Sequence, residues 1–189
     1  MVKLNPTAWN LRYLLWRAGV KREDWASHLA SWTGRGEARA KALLRGAKIG
    51  HDEQERVACR AECTAEELQT EGFWEGRVDL LRENLNYLTD KKQTGEKLSV
   101  IARGSGVSPV TLSRWKSGKQ EPEDRQLAKL ARHFGLAADT NLRTDPVFLS
   151  LSPVGELMRR EWLHRKVEEL DADALHELFP AFERLMKDS

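Results

Sequence analysis

Between Lys91 and Lys119 the sequence gathers Lys91, Lys92, Lys97, Arg103, Arg114, Lys116 and Lys119 against one carboxylate, Glu96. Short hydroxyl side chains, Ser108, Thr111 and Ser113, stand among the last of these cations. Guanidinium, ammonium and hydroxyl groups offer donors and positive charge, which is the chemistry of holding phosphate rather than of breaking bonds. A hidden nuclease would need acids clustered beside these cations, and Glu96 stands alone. No activated nucleophile, phosphate-cradling glycine loop or paired-carboxylate signature occurs elsewhere. His28, His51, His133, His164 and His176 show no metal or catalytic spacing. Cys59 and Cys63 share a helix face with His51 upstream, but a zinc site usually takes four ligands and no second pair exists. Two buried free thiols are expected, with no metal, no cofactor and no enzymatic activity.

The rest of the chain must position that basic stretch. A net charge of +2 over 189 residues says little, but its distribution says more. From Glu156 to the end six cations face nine acids, so only the middle of the chain is expected to approach phosphate. With 40% hydrophobic and 32% charged residues, the chain reads as globular with charged helix surfaces. No apolar run approaches the ~20 residues of a membrane span, and Met1 to Pro6 lacks the apolar stretch of a signal peptide. With two cysteines, a reducing cytoplasm is the expectation, without a membrane partner.

The periodicity predicts an all-α fold. Leu11, Leu14, Leu15 and Ala18 fall on one helix face, with Asn5 and Pro6 suited to N-cap and N1. Leu81, Leu85 and Leu88 repeat the pattern. Pro122 is suited to start a later helix carrying Leu127, Leu130, Ala131 and Phe134, with Gly135 as its stop. Val147 to Leu151 is the one strand-like piece. An internal repeat organises these elements. Asn10-Leu11-Arg12-Tyr13-Leu14 returns as Asn84-Leu85-Asn86-Tyr87-Leu88, and Leu43 to Gly46 matches Trp115 to Gly118. A looser match pairs Val57-Ala58 through Ala61 with Leu127-Ala128 through Ala131. The expected layout is two small helical units in tandem, 1–72 and 73–145, joined near Glu71 to Gly76, followed by a C-terminal helical pair in 146–189.

The order of residues from Lys97 to Pro122 is the most specific signal. Ile101 and Ala102 end one helix, Gly106 sits where the chain reverses, and Val107 plugs the turn. Ser108 is suited to cap a second helix and Pro109 to occupy its N1, while Leu112 and Trp115 anchor its back. Gly118 then releases the chain. This arrangement resembles the lambda-repressor-like (XRE) helix-turn-helix family over about 65 residues. It departs from the family at Lys97 and Leu98, where members usually carry a capping Ser or Thr followed by a phosphate-contacting Gln; Thr94 is the substitute cap expected here.

The resemblance implies double-stranded DNA as partner, with the second helix in the major groove. Its surface would then be Ser108, Pro109, Val110, Thr111, Ser113, Arg114 and Lys116, with Lys119 beyond. Arg114 suits a bidentate contact to guanine, the other reading being a phosphate contact. Val110 and Pro109 suit thymine methyls, Thr111 and Ser113 bases or phosphates, and Lys116 and Lys119 phosphate. The N-terminal unit matches more loosely, with Trp25 to Trp32, a turn at Gly34, and Gly36 to Arg45. Arg39, Lys41 and Arg45 are its candidate DNA contacts, against the reading that it is a degenerate copy used for packing or partner binding. Trp9, Trp16, Trp25 and Trp32 read as core.

Two helices are expected at the C-terminus, near Val154 to Leu170 and Ala172 to Lys187, with a kink or break at Pro180. Trp162, Leu175, Leu178, Phe179 and Phe182 form the candidate homodimer interface, the other reading being that they cover the preceding unit. Together these features point to a sequence-specific transcriptional regulator, a repressor on an inverted-repeat operator. The alternative is a helix-turn-helix interaction or assembly subunit with a heterologous protein partner, antitoxin-like or from a mobile-element or defence complex.

Overall fold

The computed structural model describes residues 5–151, 167–168 and 170–187, and every regular element among them is helical. In order these are α1 (Pro6–Arg17), α2 (Trp25–Thr33), α3 (Glu37–Leu44), α4 (His51–Ala61), α5 (Leu80–Thr89), α6 (Lys91–Thr94), α7 (Leu98–Gly104), α8 (Pro109–Lys116), α9 (Asp124–His133) and α10 (Ala172–Lys187). Trp162 and the first expected C-terminal helix lie mostly outside the described residues.

Helix starts follow side-chain chemistry. Asn5 accepts from the Ala8 amide at 2.8 Å with Pro6 at N1, Asp79 accepts from Arg82 at 3.1 Å, and Ser108 accepts from Thr111 at 3.0 Å. At α4 and α9 the N3 side chain reaches back instead: Glu53 takes the Gly50 amide and Gln126 the Glu123 amide, each at 2.9 Å. Helix α9 therefore begins at Asp124, not at Pro122, whose carbonyl accepts from Arg143 at 2.7 Å. Thr94 caps nothing at α7; it closes α6, and Lys97 takes the cap position without a side-chain bond.

The two halves share several bonds at matching positions. Asn10 donates its side-chain amide to Leu68 O at 3.0 Å and Asn84 donates to Leu142 O at 2.8 Å, each reaching 58 residues ahead. Thr33 Oγ1 and Ser105 Oγ each donate to the carbonyl four residues back, Leu29 and Ile101. Gly34 and Gly106 take the left-handed turn at φ +67° and +70°. The looser sequence match around Val57 was out of step by about one helical turn. The shared cap geometry and the bonds Cys63 N to Ala58 O and Leu136 N to Ala131 O pair Val57 with Leu130 and Ala58 with Ala131.

One apolar core runs through both halves, from Leu11, Leu15, Leu29 and Leu43 to Leu85, Ile101, Leu112 and Leu130. The expected joint is part of it. Phe73 and Trp74 are buried, Trp74 edge-on to Trp9 at 6.4 Å and Phe73 edge-on to Tyr13 at 5.7 Å. Trp9 and Trp25 are buried, while Trp16 and Trp32 pack half-buried against the same core. Cys63 is half-buried but Cys59 is exposed, which corrects the expectation of two buried thiols.

The strand-like piece is also corrected, because Val147–Leu149 is a 3-10 turn. Its side chains are buried on all three residues, and its backbone is claimed by side chains from both halves. Asn84 Oδ1 accepts from Phe148 N at 2.9 Å, Arg22 donates to Phe148 O and to the Tyr87 hydroxyl, both at 2.6 Å, and Arg12 donates to Leu149 O at 3.3 Å. Arg12 is 4% exposed and also donates to Leu44 O at the end of α3. Burial, followed by the neighbouring Arg22 charge, lowers its pKa to about 10. Helix α10 continues through Pro180, with neither end nor break there.

Candidate nucleic-acid interface

Helix α8 is held from behind and open in front. Leu112 is fully buried and Trp115 nearly so, while Pro109, Val110, Ser113 and Arg114 face solvent, Val110 with 60% of its surface exposed. Thr111 and Lys116 are half-buried at the flanks, and Lys119 is exposed in the loop that follows. Arg114 has no ion-pair or side-chain hydrogen-bond partner among the described residues; its carbonyl accepts from Lys119 N at 2.9 Å. Ser108 and Thr111 are tied to each other, hydroxyl to hydroxyl at 2.9 Å, and the Ser108 oxygen doubles as the cap of the helix. The leading end of α8 therefore presents a rigid cap, an exposed methyl pair on Val110 and an unspent guanidinium one turn later.

The frame around α8 is fixed by residues that periodicity does not single out. The φ +70° turn at Gly106 and the Val107 N to Ala102 O bond at 2.9 Å set the angle between α7 and α8. Glu96, the lone acid of the basic stretch, is turned to His133 at 2.8 Å, which ties the start of α7 to the end of α9. Gly104 makes room for that histidine, since a Cβ there would overlap the imidazole. Beyond α8, Arg143 bonds Glu121 at 3.1 Å, Asp124 at 3.2 Å and the Pro122 carbonyl, pinning the loop that carries Lys119. Its guanidinium pKa is raised by the Glu121 bond first and the Asp124 bond second.

The corresponding surface of the N-terminal half is electrically different. Glu37 opens α3 and lies 3.7 Å from Lys41. Arg39 does not stand free as expected: it bonds Glu53 through two contacts of 2.9 and 2.7 Å and the Lys48 carbonyl at 2.8 Å. That bond from Arg39 is the main cause lowering the Glu53 pKa to about 2. Only Arg45 of the three candidate cations is exposed and unpaired among the described residues. Gly36, at the cap of α3, supplies no side chain where Ser108 caps α8.

On α10, Leu175, Leu178 and Phe179 are exposed, Phe179 to 59%; the side chain of Phe182 lies outside the described residues. No helix among the described residues is long and apolar enough to cross a membrane, and no group of three His, Cys, Asp or Glu among them is arranged to hold a metal ion. Residues 96–140 match the helix-turn-helix family model, covering about a quarter of the chain. No curated protein and no solved structure matches the chain.

Proposed function

With residues 96–140 a DNA-binding helix-turn-helix of the lambda-repressor-like (XRE) kind, we propose that the chain is a sequence-specific transcriptional regulator. It acts as a repressor, a homodimer placing one α8 in the major groove of each half of an inverted-repeat operator. The observation that carries this reading is Arg114, exposed and unpaired on a helix pinned by Leu112 and Trp115. A planar donor fork held without an internal partner fits the O6 and N7 acceptors of guanine. Val110 and Pro109 lie toward thymine methyls, Thr111 and Ser113 toward polar edges, and Ser108, Lys116 and Lys119 toward the sugar-phosphate backbone. The protein works in the cytoplasm, without cofactor or catalytic site.

The division of labour follows the three stretches 1–72, 73–145 and 146–189. The first is a degenerate copy whose reading-helix cations Arg39 and Lys41 are matched by Glu53 and Glu37, which leaves Arg45 as its one open DNA contact. The last supplies self-association through Leu175, Leu178 and Phe179, together with Trp162 and Phe182. A second reading, a subunit that docks on a heterologous protein, draws on the same neutralised N-terminal face.

Selection from random duplexes at moderate salt, read by gel shift and footprint, tests the proposal. An enriched palindromic site bound by two chains is expected. Absence of any preferred sequence sinks the regulator, and a stoichiometric foreign partner in place of a self-dimer favours the second reading.

A further inference from the structure

Besides the cations of its own stretch, α8 is approached by one from the start of α5. Gly118 ends the turn after α8 at φ +67°, and a Cβ built on it would overlap Nη2 of Arg82. The Arg82 guanidinium therefore lies directly over Gly118, the residue before Lys119. Its side chain is 46% exposed, and its ion-pair partner among the described residues is Asp79, at 3.6 Å from Nε, with the Glu83 charge also nearby. Both terminal nitrogens lack a hydrogen-bond partner among the described residues.

We propose that Arg82 is a DNA backbone-phosphate contact, paired with Lys119 at the exit of α8. The inference rests on the DNA-binding reading above. A fork over the turn that ends the reading helix, next in sequence to the exposed Lys119, is placed for the sugar-phosphate ridge rather than for base edges. Glycine at position 118 serves two ends: it adopts the left-handed turn and leaves the space the guanidinium fills. Phosphate meets the free Nη pair while Asp79 keeps its grip on Nε. The competing role is an intramolecular brace, Asp79 with Arg82, steadying the first turn of α5.

Equilibrium binding of the full chain to its selected duplex and to an unrelated duplex, over a salt series, separates these roles. At a log–log slope of about 0.9 per phosphate, R82A should weaken both duplexes alike by roughly eightfold at 0.1 M relative to 1 M salt. The slope should drop by about one, and R82K should keep most of it. D79N retains a capping oxygen and removes the competing acid, so its binding should equal or exceed that of the unaltered chain. Unchanged slope in R82A, while the unaltered chain binds normally, overturns this inference alone. So does a result in which D79N and R82A lose melting temperature and DNA affinity together. Failure of the unaltered chain to bind any duplex overturns the DNA-binding reading and this inference with it.

Discussion

Asn10 and Asn84 do the same work in the two halves: each plants its amide in the backbone at the far end of its own repeat, on Leu68 and on Leu142. Each donates to a second carbonyl as well, Asn10 to Thr70 O at 2.9 Å and Asn84 to Asp145 O at 2.7 Å, but only Asn84 also accepts through Oδ1, from Phe148 N. Asn84→Ala would strip three bonds, two of them between buried groups. A loss of about 2–4 kcal/mol is expected by urea unfolding; a loss under about 1 kcal/mol would mean the 142–148 segment is held by apolar contacts alone.

This asparagine pair also marks what was legible in advance. The Asn-Leu-x-Tyr-Leu motif recurs because one side-chain job recurs, and Ser108-Pro109 or Gly106 can be read locally because caps and left-handed turns are local matters. Partners chosen across space were not legible. Arg39 looks like a surface cation until Glu53, on the next helix, is brought beside it, and nothing near Arg143 in sequence announces Glu121. The apolar run at Val147 reads as strand-like, but no neighbouring strand exists among the described residues to pair with it, and the Phe148 amide and carbonyl go to side chains instead.

Arg114→Ala tests the reading helix. Loss of one bidentate contact should reduce affinity for the selected duplex by about 1–3 kcal/mol and relax preference at one base pair per half-site. Lys119→Ala should instead weaken all duplexes alike and lower the salt slope by about one. Repeated selection with each variant checks both; an Arg114→Ala profile identical to the parent's would leave Arg114 a backbone contact.

Acid stability should report on the Glu53–Arg39 bond. The Glu53 carboxyl sits at about 2 in the fold against an ordinary 4.5. A lowered carboxylate pKa contributes stability above the ordinary value, which drains away as pH falls from 4.5 toward 2. Glu53→Gln should begin less stable at neutral pH and show a shallower acid limb in that window, measured by thermal melts. Equal limbs would assign the acid sensitivity elsewhere.

Gly104→Ala pits two effects against each other. Alanine in a helix normally gains roughly 0.5–1 kcal/mol over glycine. Here the added methyl overlaps the His133 imidazole, which Glu96 holds in place. Destabilisation is therefore expected, with His133→Ala rescuing it in the double variant; a stabilised single variant would show that the histidine swings away freely.

Charge placed on α10 addresses self-association. Phe179→Glu should convert the proposed dimer to monomers in sedimentation, with monomer stability unchanged because that side chain is already exposed. An unaltered dimer would move the interface off this helix.

The Val147–Leu149 turn carries a last consequence. Its Phe148 and Leu149 backbone is clasped by Arg12 and Arg22 from one half and Asn84 from the other. Splicing either half into a foreign gene would strand donors on one side and acceptors on the other. The two halves are thus not interchangeable cassettes, since neither alone supplies the full clasp on this turn.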